Sequence, residues 1–113
     1  MIIKYKTPGA KKKHAQYSAE GSWLTVADAI NINLAKYERD DDFHMDICSD
    51  AFGNLTTGVI PGYSEKYVAQ IDIPARTYHT VEGEETAEDG SKVLVREADP
   101  YNPANTTLTL WEV

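Results

Sequence analysis

Apolar and polar positions alternate along most of this chain, and the alternation has the two-residue period of a strand, not the 3.6-residue period of a helix. Ile30, Ile32 and Leu34 fall on one face of the segment from Ile30 to Tyr37. Phe43, Met45 and Ile47 do the same in the next segment, with His44, Asp46 and Cys48 opposite. The charged run Glu38-Arg39-Asp40-Asp41-Asp42 between them predicts a turn joining the two as a hairpin. Tyr67 to Ile73 and Thr77 to Val81 are rich in β-branched and aromatic residues, which suit a pleated, half-buried surface. Leu55 to Ile60, Lys92 to Glu97 and Thr106 to Val113 complete the predicted strands. In the last of these Leu108 and Leu110 share one face, and Thr107, Thr109, Trp111 and Val113 share the other.

Turn signals separate these segments at Pro8-Gly9, Glu20-Gly21, Gly53-Asn54, Pro61-Gly62 and Asp99 to Asn105. Pro74 has no N–H to give a ladder and is expected at a bend or bulge. Helix is scarce. Its best candidate is Thr25 to Ile30, where Thr25 caps and Asp28 reaches back in a capping box. The expected fold is therefore α+β or mainly β, a single antiparallel sheet-rich domain over residues 1–113 with at most one or two short helices.

Composition narrows this picture without changing it. A chain of 113 residues, 42% apolar and 26% charged, has the make-up of one globular domain and not of a disordered chain. No apolar run approaches the ~20 residues that span a bilayer, and Met1 to Lys6 is too short for the apolar region of a signal peptide. A cytoplasmic location without membrane contact is the expectation. A single cysteine, Cys48, excludes an internal disulfide and a cysteine-based zinc site.

Charge adds an asymmetry. Residues 1–21 form a basic N-terminal strand and loop with five lysines against Glu20, whereas residues 22–113 form an acidic body of net charge -11. Such a body repels nucleic acid and suits a basic protein surface. Lys11-Lys12-Lys13 reads as a solvated loop, as does Glu82 to Gly90 with its five negative charges.

Candidate chemistry is sparse. His14, His44 and His79 show none of the spacings that place two ligands on one metal. Asp42, His44 and Asp46 alternate along one strand, so they either flank a hydrated cation or form a solvent face. Cys48 and His44 lie ~13 Å apart along a strand, too far for a nucleophile and its base. No phosphate loop, dinucleotide fingerprint or nucleophile elbow is present in the sequence. No catalytic residue, metal or cofactor is expected, and binding is favoured over catalysis. Seven tyrosines and two tryptophans against two phenylalanines favour rings with a polar tip, as found in ligand pockets and interfaces.

Ile71-Asp72-Ile73-Pro74-Ala75-Arg76-Thr77-Tyr78, continuing to Gly83, resembles the central strand of the gyrase-inhibitor-like, or effector-binding, domain family. Residues 99–113, ending Thr107-Leu108-Thr109-Leu110-Trp111-Glu112-Val113, are similar to the family's final turn and strand. The resemblance implies paired βαββ repeats around a groove for small cationic or aromatic ligands, with Tyr78, Trp111 and Glu112 as the ligand-binding positions. Two functions follow as expectations. One is a non-catalytic small-molecule binding module. The other is an acidic protein-interaction module, such as a phage or mobile-element accessory protein that binds a basic, nucleic-acid-binding partner. The sequence leaves the oligomeric state open.

Overall fold

A computed structural model describes residues 1–6 and 13–112. Its strands are β1 (Ile2–Tyr5), β2 (Tyr17–Glu20), β3 (Trp23–Val26), β4 (Ile30–Asn33), β5 (Phe43–Ser49), β6 (Leu55–Thr57), β7 (Lys66–Ile73), β8 (Tyr78–Thr86), β9 (Lys92–Ala98) and β10 (Thr107–Leu110). Two 3-10 turns, Leu34–Tyr37 and Pro103–Asn105, are the helical elements among the described residues. None is long and apolar enough to cross a membrane. The fold is β-rich, as the alternation implies. The expected Pro8-Gly9 turn, Lys11, Lys12 and Val113 lie outside the described residues.

Five strands form one sheet in the order β1-β10-β7-β5-β6, three form a second as β2-β3-β4, and among the described residues β8 and β9 pair only with each other. β1 runs parallel to β10, with Ile2 opposite Thr107 and Tyr5 opposite Leu110. The remaining neighbours in the large sheet are antiparallel. The inward residues of the alternation make the core. Met45, Ile47, Ala69, Ile71, Ile73, Leu108 and Leu110 from the large sheet pack in one cluster with Leu24, Val26, Ile32 and Leu34 from the small sheet and its following turn. This is sheet-on-sheet packing, with the polar face of the large sheet turned outward.

Three expectations are corrected. Thr25 to Ile30 is not a helix: β3 ends at Val26, and Ala27 and Asp28 take φ values of 54° and 52° in a hairpin turn closed by Ala29 N–H donating to Val26 O at 3.0 Å. Pairing Leu24 with Ile32 and Val26 with Ile30 buries apolar residues at every second position, which outweighs a one-turn capping box. Second, Ile30–Tyr37 and the Phe43 segment do not form a hairpin, since β4 and β5 belong to different sheets. Buried Leu34 turns the chain out of β4, its N–H donating to Ser22 O at 2.8 Å, and residues 38–42 cross between the sheets. Third, much of the acidic stretch 82–90 is strand, because β8 runs on to Thr86 against β9.

The β8–β9 pair shapes the molecule. All seven residues of β9 are exposed. The radius of gyration is 19.1 Å, against ~13 Å for a compact chain of this size. The longest extent is 66 Å, whereas the eight residues of β7 reach only ~26 Å. β8–β9 is thus an arm. It leaves the body where β7 ends at Ile73, and Asp99 N–H donates to Thr77 O at 2.9 Å at its root.

Candidate functional site

The outward face of the large sheet holds an ordered polar network. β5 and β7 place His44 opposite Asp72 and Asp46 opposite Gln70. His44 Nδ1 lies 2.6 Å from Asp72 Oδ1 and Nε2 lies 2.7 Å from Asp46 Oδ1. The two hydrogen bonds, to Asp72 first and Asp46 second, raise the pKa of the imidazole and favour the doubly protonated ring. In that form both ring nitrogens donate, one to each carboxylate. Partial burial works to raise the Asp46 pKa, but hydrogen bonds from Gln70 and His44 prevail and lower it. Gln70 links this network to Trp111, whose Nε1–H donates to Gln70 Oε1 at 2.9 Å. Trp111 also packs on Tyr67, with ring centroids 5.0 Å apart, and Lys6 Nζ stands 5.2 Å from its ring.

A second cluster braces the root of the arm. The Tyr78 hydroxyl donates to Asp40, and the Arg96 guanidinium lies 3.9 Å from the Tyr78 ring centroid. Arg76 donates from its guanidinium to Glu38 O at 2.8 Å and from its backbone N–H to Arg39 O at 2.7 Å. His79 Nδ1 meets Asp99 Oδ1 at 2.6 Å, and Thr77 Oγ1 donates to the other Asp99 oxygen at 2.6 Å. These bonds, Thr77 first, lower the Asp99 pKa. The clusters orient backbone and side chains at an exposed surface.

The arm itself is acidic and partly apolar. Residues 78–99 carry seven carboxylates against Lys92 and Arg96. Val93, Leu94 and Val95 are 37%, 65% and 45% exposed. Val95 faces Val81 across the strands and Leu94 faces Glu82. Gly83 lets β9 come close, since a Cβ there would stand 3.0 Å from Val93 O and 3.1 Å from a Val95 methyl. A second exposed apolar surface lies in the loops beside β6, where Phe52 is 90% and Tyr63 71% exposed.

The sequence-level ligand positions fall at two places. Trp111 is half-buried beside β7, its backbone N–H donating to Val68 O at 3.0 Å, and Glu112 follows it in a bridge with His14. Tyr78 opens the arm, beyond the Ile73 end of β7. Val68 and Ile73 are five residues apart, or ~17 Å along the strand. A groove of about 270 Å³ lies at the Ile73 end of β7, with Asp42, His44, Asp72 and Pro74 among its lining residues, and none of Tyr78, Trp111 and Glu112 lines it. His44 and Asp46 share a face as their spacing implies. Asp72 joins them only through strand pairing, which spacing does not show, whereas Thr77 to Val81 and Lys92 to Glu97 predict the arm's strands in part but not their departure from the body. The chain matches no family model, no curated protein and no solved structure, so its functional reading rests on this geometry.

Proposed function

We propose that this chain is a protein-interaction module whose recognition element is the acidic β8–β9 arm, directed at a basic protein surface. One observation carries the reading: a two-stranded ribbon whose outer edges pair with no strand among the described residues, and which holds three consecutive exposed apolar residues, stands away from the body. A lone two-stranded hairpin is marginally stable in water, and open edges invite pairing, so an arm of this form suits a surface that covers it.

The test compares equal losses of charge. Glu82→Gln/Glu84→Gln/Glu85→Gln neutralises the arm, and Glu20→Gln/Asp28→Asn/Asp41→Asn neutralises three exposed carboxylates of the body. Titration with poly-L-lysine should show about tenfold weaker binding for the arm variant and little change for the body variant. Equal effects would reduce the interaction to net charge and refute the reading.

A second reading is favoured by the groove beside His44, where Asp42 and Asp72 border the apolar Ile73 and Pro74. It assigns the groove a small cationic ligand. A thermal-shift screen with cationic aromatic compounds tests it, and a stabilising hit lost in Asp72→Asn supports it.

A further inference from the structure

We infer that the surface covering the arm is the basic β1 edge of a second copy of this chain, so that copies join head to tail. This rests on the arm being the recognition element. It adds the identity of the partner.

The two surfaces are complementary, and β1 starts beside the root of the arm, where Ile2 is opposite Thr107 and Thr107 opposite Asp72, and runs away from it toward Lys6. β8 carries Glu82, Glu84 and Glu85, all exposed. β1 is an edge strand, with β10 on one side and no strand on the other among the described residues. Lys4, Lys6 and Lys13 are exposed. Lysines on an edge strand discourage pairing with most strands, but they welcome an acidic one.

Their positions follow from strand register. β1 runs beside β10, and Lys6 N–H donates to Leu110 O at 2.9 Å. Leu110 is opposite Ala69, early in β7. Lys13 precedes His14, which bridges to Glu112 at the same end. The arm departs from the other end, after Ile73. The ribbon pairs with no strand of the body among the described residues, so its edges and the lysines of the β1 edge are both open to a neighbouring copy. The contact joins two different surfaces, so repetition gives a closed ring or an open filament.

Sedimentation of the full chain from about 2 to about 200 µM, at ~25 mM and ~500 mM NaCl, tests the inference. The expected result is growth beyond the monomer with concentration at low salt and its loss at high salt. Glu82→Lys/Glu84→Lys/Glu85→Lys and Lys4→Glu/Lys6→Glu/Lys13→Glu should each weaken association by about tenfold or more, and the two sets combined in one chain should restore it. All six positions are exposed, and circular dichroism of each variant checks that the fold persists. A monomer throughout the range, or association that ignores both charge reversals, overturns the inference. The second outcome places self-contact elsewhere, such as the Phe52 and Tyr63 corner. If the chain stays monomeric while the arm variant alone still loses poly-L-lysine binding, the partner assignment fails and the interaction reading stands. If that difference also vanishes, both fail.

Discussion

Excising the arm separates its role in recognition from any role in folding. Tyr78 and Ala98 are directly paired across β8 and β9. Replacing residues 79–97 by Asn-Gly therefore closes the root with a two-residue hairpin turn. No arm residue belongs to the buried core cluster. The root contacts removed are that of Arg96 with the Tyr78 ring, worth about 0.5–1 kcal/mol at an exposed site, and the exposed, solvent-screened His79–Asp99 pair. The Tyr78–Asp40 contact and the Thr77–Asp99 pairing have both partners outside the excised residues. The body should thus lose no more than about 1 kcal/mol, with urea unfolding still two-state and its midpoint little moved. Small-angle scattering should show the radius of gyration falling from 19.1 Å to about 13 Å, and self-association should disappear. A loss above ~3 kcal/mol, on the scale of a core truncation, would refute the reasoning by making the arm part of the folding unit.

Three further outcomes follow from the same geometry. Because the folded-state pKa of His44 is raised, its pairing stabilises the fold fully below the unfolded value of 6.5, and that contribution is lost as pH rises through the folded value. The stability difference between wild type and His44→Gln should then be larger at about pH 5.5 than at about pH 9, yet no more than ~1 kcal/mol because the pair is solvent-screened; equal differences at both would contradict the network. Cys48 is 1% exposed, and burial first and the charge of Asp46 second push its thiol pKa up, so a thiol reagent such as Ellman's should label it only on unfolding. Labelling at the rate of a free thiol in the native protein would refute that placement. Gly83→Val should crowd Val93 and Val95 and loosen the arm, costing about 1–3 kcal/mol within the ribbon, seen as faster amide exchange in β8 and β9 with the core amides unchanged.

How much of this was legible in the sequence varied with burial. Ile47, Ile71, Leu108 and Leu110 are read from alternation alone, because the two-residue period and the inward face are the same physical fact. Pairing is a different matter. Nothing in Ile2 to Tyr5 says that it lies parallel to β10 near the other end of the chain, and that contact is what places the lysines on a sheet edge. The Glu38 to Asp42 run has the composition of a hairpin turn, but buried Leu34 ends β4 first and sends the run across to the other sheet. The arm is the least legible element. Its strands bury little, so Glu82 to Thr86 reads as a polar loop, and only the partner strand shows that it is ordered. At the sheet face, His44 and Asp46 follow from spacing, whereas Asp72 and Gln70 arrive from a strand more than twenty residues away.

The claim that the arm is covered by the β1 edge of a second copy is most directly tested by amide hydrogen exchange of the full chain at low salt, compared between dilute and concentrated solutions. The account predicts slower exchange on concentration in residues 79–97 and in β1, with the core of β7 and β10 unchanged. Exchange in the arm that is the same at both concentrations, while protection appears elsewhere on the surface, would contradict it.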